Sequence, residues 1–206
     1  MTAGRPRGID DASILRATVD VIGRVGPVGL TLAAVAREVG LVPGTLVQRF
    51  GSKRGLLLAL AEHAADDADD LLGRMRAKHK SPLAALAALI AAPMASMATP
   101  ETFANHLAFL CIDLTDPEFR APALAVHQAQ GRAVEALLTE SLLAGELRPG
   151  TDVAALAPVV QAIAAGAGLV WALDRQGALE QRLRQALDGV LCPHLRPHDR
   201  DEREES

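Results

Sequence analysis

Apolar residues recur three and four apart along almost the whole chain, a spacing that predicts an all-α protein. Ile14, Leu15, Thr18, Val19 and Ile22 form the inner stripe of a first helix, capped by Asp10 or Asp11 and stopped at Val25-Gly26-Pro27. Leu32, Val35, Ala36 and Val39 give a short second helix. Thr31 precedes it, with a hydroxyl that can accept a backbone N–H left free in the first turn. Gly40 follows where a helix can end in a left-handed residue at little steric cost. Pro43 suits the first turn of a third helix, where its missing N–H is not needed, and Leu46 and Phe50 point that helix back onto the second.

The fourth helix starts at Lys53 and is expected to run to about Lys80 on Leu56, Leu57, Leu60, Ala64, Ala68, Leu71, Leu72 and Met75. Its other face carries Glu62, His63, Asp66, Asp67, Asp69 and Asp70 and reads as a solvated acidic face; the His63/Asp67 pair alone lacks the ligand count of a closed metal site, so no metal is expected. Ser81-Pro82 opens a fifth helix, expected to reach Met97 with a kink at Pro93. Thr99-Pro100-Glu101 opens a sixth, to about Leu114, and Asp116-Pro117-Glu118 a seventh, ending near Ala144. Thr151 or Asp152 caps an eighth that ends near Gly177, and Leu179 to Leu191 form a ninth on Leu183, Leu187 and Val190. The tail 193–206 is charged and contains proline, so disorder is expected there.

The second and third helices with their tight Gly-containing turn make a helix-turn-helix. In that motif the second helix enters the DNA major groove with its N-terminal residues at the base edges. Pro43, Gly44, Thr45, Val47, Gln48 and Arg49 fall on its outward side. Thr45 and Gln48 can hydrogen-bond bases or phosphates, Arg49 can pair with guanine or phosphate, and Val47 can meet a thymine methyl. Ser52-Lys53-Arg54 then places a cap and two cations at a helix N-terminus, a ready phosphate site. The arm at residues 1–9 carries Arg5 and Arg7 in Gly-Arg-Pro-Arg, which suits an adjacent minor groove; a solvated tail is the alternative. The candidate DNA-contacting set is therefore Arg5, Arg7, Thr31, Pro43, Gly44, Thr45, Val47, Gln48, Arg49 and Lys53.

Charge supports this end of the chain. The total is −4, but residues 1–54 hold eight cations (Arg5, Arg7, Arg16, Arg24, Arg37, Arg49, Lys53, Arg54) against Asp10, Asp11, Asp20 and Glu38, a balance of +4 that leaves −8 on the rest. A basic end on an acidic body is the pattern expected when one end meets phosphate. Half of the residues are apolar and only 2% aromatic, so Ala, Leu and Val must build the core, which suits closely packed helices. Cys111 and Cys192 both fall in helical stretches and read as free thiols, and the first residues do not read as a signal peptide; a cytoplasmic location is expected. Val153 to Leu173 carries no charge for 21 residues, about a membrane span, but its Ala, Gly, Pro158 and Gln161 fit a helix buried in protein, and no membrane association is expected.

The stretch Leu30-Thr31, Gly40-Leu41-Val42, Gly44-Thr45-Leu46-Val47, Phe50, Ser52-Lys53 and Leu56-Leu57 resembles the TetR family of transcriptional repressors in order and spacing. Val47 stands where the family usually has a phosphate-touching Tyr, and Val42 where it has a capping Ser. Asp116-Pro117-Glu118-Phe119-Arg120, and Ala144-Gly145-Glu146-Leu147 with Asp152 and Gly166, resemble the family's C-terminal domain more loosely. The resemblance implies two domains: a three-helix DNA-binding domain at 1–54, and a ligand-binding and dimerisation domain at 55–192. The fourth helix would link them as the lever between effector and DNA. It implies a homodimer through helices near 151–175 and 179–191, which Ala162, Ala165, Gly166 and Ala167 favour by allowing close helix approach. Such a dimer would set two recognition helices about one DNA turn apart, on a palindromic operator. It implies a pocket for a small hydrophobic or amphipathic effector, with Met94, Met97, Phe103, His106, Leu110, His127, Gln130 and Trp171 as candidate lining, and no cofactor.

An enzyme and a purely structural helical protein are the competing readings. The sequence has no Gly-x-Ser-x-Gly elbow, phosphate loop or His/Cys metal cluster, so it gives an enzyme no support. A structural protein would leave the basic N-terminal segment and Lys53 without a purpose.

Overall fold

The structure is a computed structural model that describes residues 9–196, with every side chain among them except Ala65, Asp69 and Asp113. The described residues form nine α-helices: α1 (Asp11–Gly29), α2 (Leu32–Glu38), α3 (Pro43–Phe50), α4 (Lys53–Lys78), α5 (Pro82–Ala91), α6 (Pro100–Thr115), α7 (Pro117–Leu143), α8 (Val153–Asp174) and α9 (Leu179–Leu191). Arg5 and Arg7, most of the arm, and the tail beyond Arg196 lie outside the described residues.

Polar caps start most of these helices. Asp10 accepts from Ser13 N, Thr31 from Ala34 N, Ser52 from Gly55 N, Ser81 from Ala84 N, Thr99 from Thr102 N and Asp152 from Ala155 N. Each satisfies a first-turn donor that would otherwise face water, an effect of typically about 1 kcal/mol. Proline at the first helical position helps α3, α5, α6 and α7.

Two cores follow from the apolar stripes. Ile14, Ile22, Leu30, Val35, Leu46 and Leu56, each at most 1% exposed, close the N-terminal unit. That core crosses the boundary expected at residue 54, taking in Leu57, Leu60 and Ala61 from α4 and Phe119 from α7. The larger core joins α5, α7, α8 and α9 through Leu86, Leu89, Val134, Leu137, Leu138, Leu156, Val160, Leu187 and Leu191. The buried hydroxyls of Thr18 and Ser141 donate to the carbonyls of Ile14 and Leu137 on their own helices.

Four boundaries differ from expectation. Helical geometry in α1 breaks at Gly26 (φ 69°) as expected, but Pro27–Gly29 add another turn. α5 stops at Ala91 rather than reaching Met97, and Ala92–Met94 tighten into a 3-10 turn, because Pro93 has no N–H for the helical ladder and its ring opposes the carbonyl four residues back. α8 ends at Asp174 rather than Gly177: Arg175 turns left-handed (φ 57°) and Asp174 Oδ1 accepts from Gln176 N. The expected disorder from residue 193 is corrected over its first four positions. Leu195 is 4% exposed in the larger core, and Arg148 N donates to His194 O at 2.8 Å.

At the α6–α8 crossing, a Cβ placed on Gly168 would lie 2.5 Å from Phe103 Cε2, and Trp171 stands edge-on to that ring. The ring has little room to yield. Gly168→Ala is therefore expected to destabilise by about 1–3 kcal/mol, the usual range for overpacking. A thermal melt followed by far-UV circular dichroism should show a fall of several degrees; an unchanged melt would mean that α8 slides freely past Phe103.

Candidate nucleic-acid interface

The turn between α2 and α3 is closed from within. Gly40 sits at φ 68°, and Leu41 N donates to Ala36 O at 2.8 Å. Leu46, fully buried among Val35, Ala36, Leu41 and Phe50, holds α3 against α2. This leaves Val42, Pro43, Gly44, Val47 and Gln48 on the open side, with Thr45 half-buried beneath them. Val42 gives the first turn of α3 no side-chain acceptor; Pro43 has no N–H there, and Thr45 N donates to Val42 O at 3.0 Å. Thr31 is the α2 cap, its hydroxyl accepting from Ala34 N at 3.1 Å.

The cations divide in a way that charge counting does not foresee. Arg49 does not stay with the outward residues of α3. Its Nη1 donates to Ile9 O at 2.6 Å and to Asp11 Oδ1 at 3.0 Å, which ties α3 to the start of α1. Arg24 is paired with Glu38. Arg54 turns away to Asp116 and Glu118, and holds the Asp116 carboxyl below the usual carboxylate range. Lys53 sits at the N-terminus of α4 with Nζ donating to Val28 O at 3.0 Å. Arg37, in the last turn of α2, is exposed.

The candidate effector residues do not form one group. Met94 and Met97 pack against Phe103 and Trp171, whose rings meet edge to face with centroids 6.3 Å apart; Trp171 Nε1 donates to Gly177 O at 2.9 Å. His106 lies elsewhere, against α1. A Cβ on Gly23 would be 3.1 Å from its Nε2, an atom sealed from solvent without a hydrogen-bond partner. The adjacent Asn105 Nδ2 donates to Gly23 O at 2.8 Å. Leu110 is 44% exposed. His127 is exposed, its carbonyl accepting from Gln161 Nε2 at 2.8 Å, and Gln130 is half-buried nearby on α7. A cleft of about 300 Å³ lies instead between α5 and α9, walled by Ala87, Ala91, Leu183 and Leu187 and rimmed by His79, Glu180 and Arg184; none of the eight candidates lines it. Its alanines carry no sequence signal that separates a cleft wall from ordinary helix packing. Among the described residues, His, Cys, Asp and Glu nowhere gather in threes as metal ligands would.

A buried-anchored recognition helix, exposed along its outer face and followed by a capped helix N-terminus with a lysine, defines a helix-turn-helix DNA-binding protein with a larger helical body. The family profile described as bacterial regulatory proteins, tetR family, matches residues 14–60. The chain is 30% identical, over an alignment 215 positions long, to the class A tetracycline repressor protein from transposon 1721 of Escherichia coli, covering 89% of this chain and 91% of that protein. Its fold is also that of SmeT, the repressor of the Stenotrophomonas maltophilia multidrug efflux pump SmeDEF (TM-score 0.64, 20% identity, 92% of each chain). The transcriptional regulator FadR of Bacillus subtilis, solved in complex with stearoyl-CoA, is similar too (TM-score 0.59, 19% identity, 88% of this chain and 97% of that one). This chain belongs to the TetR family of bacterial transcriptional regulators.

Because Arg49 is engaged by Ile9 and Asp11, Arg49→Ala should leave the salt dependence of DNA binding unchanged and lower stability by less than about 1 kcal/mol, as exposed pairs do. Filter binding across a salt series, with a melt of the same variant, checks both parts. A loss of slope would put Arg49 on phosphate.

Burial holds the His106 imidazole below its ordinary value, against an opposing pull from Asp20. The unfolded chain takes up this proton near pH 6.5, and the native protein only at lower pH. Stability should therefore fall as pH drops through 6.5 and stop falling on this account below the native value. His106→Gln should show a smaller loss of melting temperature between pH 7 and pH 5.5 than the unaltered protein. Equal losses would mean that the folded state accepts the proton as readily as the unfolded one.

Proposed function

We propose that this protein is a repressor that binds a palindromic operator as a homodimer and releases it on binding a small hydrophobic or amphipathic effector. The observation that carries the DNA-binding part is the α3 surface: Pro43, Gly44, Val47 and Gln48 exposed, on a helix whose inner side is anchored by a fully buried Leu46. Thr45 and Lys53 are the polar groups we assign to bases and phosphate, with Arg5 and Arg7 of the arm in an adjacent groove. The relative from Escherichia coli is by name a repressor, which favours that direction of regulation.

Dimer formation is supported by α8. It is long and apolar, with a mean hydropathy of 2.0 over its most apolar window, yet only 22% of that window is buried. Ala162, Ala165, Gly166, Leu169, Val170 and Leu173 are exposed at spacings of three and four, so they share one face. A second copy covers that face best where the small residues let backbones approach, with α9 completing a four-helix interface. The apolar cluster of Met94, Met97, Phe103 and Trp171 is the proposed effector surface, since the unbranched methionines can move aside for an apolar ligand. FadR of Bacillus subtilis, with stearoyl-CoA bound, shows one amphipathic molecule held on this fold.

Selection from random duplex DNA by the purified protein, at near-physiological salt, tests the reading. Enrichment of a palindrome that is lost with Thr45→Ala is the expected outcome; no enrichment at any salt from folded protein would sink it. Leu169→Glu places a charge on the uncovered α8 face. Sedimentation should then show monomers and operator binding should weaken together. A dimer that persists through this change would place the interface elsewhere.

A further inference from the structure

Lys53 and Arg54 are neighbours at the start of α4, and as a pair they look like two phosphate ligands. The fold separates them. Lys53 stays beside the end of α1, bonded to Val28 O. Arg54 points to the junction between α6 and α7. Its Nη1 donates to Asp116 Oδ2 at 2.6 Å and its Nη2 to Asp116 Oδ1 at 3.1 Å, a two-pronged pair, and Nη2 also donates to Glu118 Oε2 at 2.6 Å. The guanidinium carbon sits 5.1 Å from the centroid of the Phe119 ring.

Each of these partners has a second role. Asp116 is the one residue between α6 and α7; its N donates to Ile112 O, and its Oδ1 accepts from Glu118 N at the start of α7. Phe119 is 1% exposed inside the core of the N-terminal unit and meets Phe109 of α6 edge to face at 6.2 Å. Arg54 thus joins the first turn of α4 to the hinge between two body helices. Only Gly51 and Ser52 separate that turn from the recognition helix α3.

The charge balance argues against a phosphate role. One guanidinium facing two carboxylates leaves the cluster net negative, so a DNA backbone is repelled rather than drawn to it. Arginine suits the clamp because its planar fork matches a carboxylate at two points, which an ammonium cannot.

We propose that Arg54 is a positioning residue: it touches no DNA, and by clamping the α4 N-terminus to Asp116 and Glu118 at the α6–α7 junction it sets the orientation in which α3 and Lys53 meet the operator. A change at that junction is then passed to the recognition helix through this side chain, beside the packing of Phe119 in the N-terminal core. The inference rests on the DNA-binding reading above.

The test uses the full-length protein and the duplex enriched by selection, with affinity measured across a salt series for the unaltered protein, Lys53→Ala, Arg54→Ala, Arg54→Lys, Asp116→Asn and the double variant Arg54→Ala/Asp116→Asn. Asn at position 116 keeps an oxygen able to cap α7, so this variant removes the charge pair with least disturbance to the fold. Lys53→Ala should reduce the salt slope by about one, as loss of one phosphate contact does. Arg54→Ala and Asp116→Asn should each weaken binding by about five- to tenfold, the lower end of coupling between sites, with the slope unchanged. The double variant should lose no more than either alone, and Arg54→Lys should not restore binding. Stoichiometric titration of each variant gives the active fraction, so a fold that is merely less stable shows there and not as a shared, non-additive loss of affinity. A slope reduced by Arg54→Ala, additive losses, or unchanged affinity would each overturn the clamp and leave the DNA-binding reading standing. Failure of the unaltered protein to bind any duplex would overturn both.

Discussion

Helix α6 is held between two edge-to-face ring pairs, and the arrangement of the molecule depends on them. Phe103 faces the body and meets Trp171 of α8, while Phe109 meets Phe119 of α7 beside the core of the N-terminal unit. The chain has four Phe, one Trp and no Tyr, so these two pairs take four of its five aromatic side chains. Such pairs add about 0.5–1.5 kcal/mol beyond the area they bury. They also fill space that alanine and leucine cannot. The remaining core is almost entirely Ala, Leu, Val and Ile packed helix to helix.

One consequence is that the N-terminal unit is not a separate bead. Asn105 and His106 of α6 press on the end of α1 at Gly23, and Phe119 enters the N-terminal core beneath Leu56 and Leu57. The close fit at Gly23 and Gly26, where an added Cβ would meet His106 or Asn105, leaves α6 little freedom to shift without moving α1. Packed interfaces of this kind tend to have discrete arrangements rather than a continuous range. That is the property a regulator needs if events in its body are to reach its DNA-facing helices.

The surface chemistry of that end is sparser than its composition suggests. Arg24, Arg49 and Arg54 are all paired with carboxylates, so three of the eight N-terminal cations serve to join helices. What α3 presents is Pro43, Gly44 and Gln48 with the apolar Val42 and Val47.

Much of this was legible in the chain because it is local. Caps, first-turn prolines and left-handed glycines act over four residues, so Thr31, Ser52, Ser81, Thr99 and Asp152 marked helix starts that the structure has, and Gly40 marked the turn. The helix-turn-helix is two such local units with an apolar face each, which is why its order and spacing were readable. What the sequence could not decide was where long side chains go. The partners of Arg49 and Arg54 within the chain, Asp11 for one and Asp116 and Glu118 for the other, lie some forty and sixty residues away. Leu195 looked like part of a charged tail because a lone leucine has no periodicity, and only its pairing beside Leu147 buries it. Of the eight candidate effector residues, Met94, Met97, Phe103 and Trp171 share a place and the other four do not, since helical spacing tells which face a residue is on and not which neighbour that face will meet.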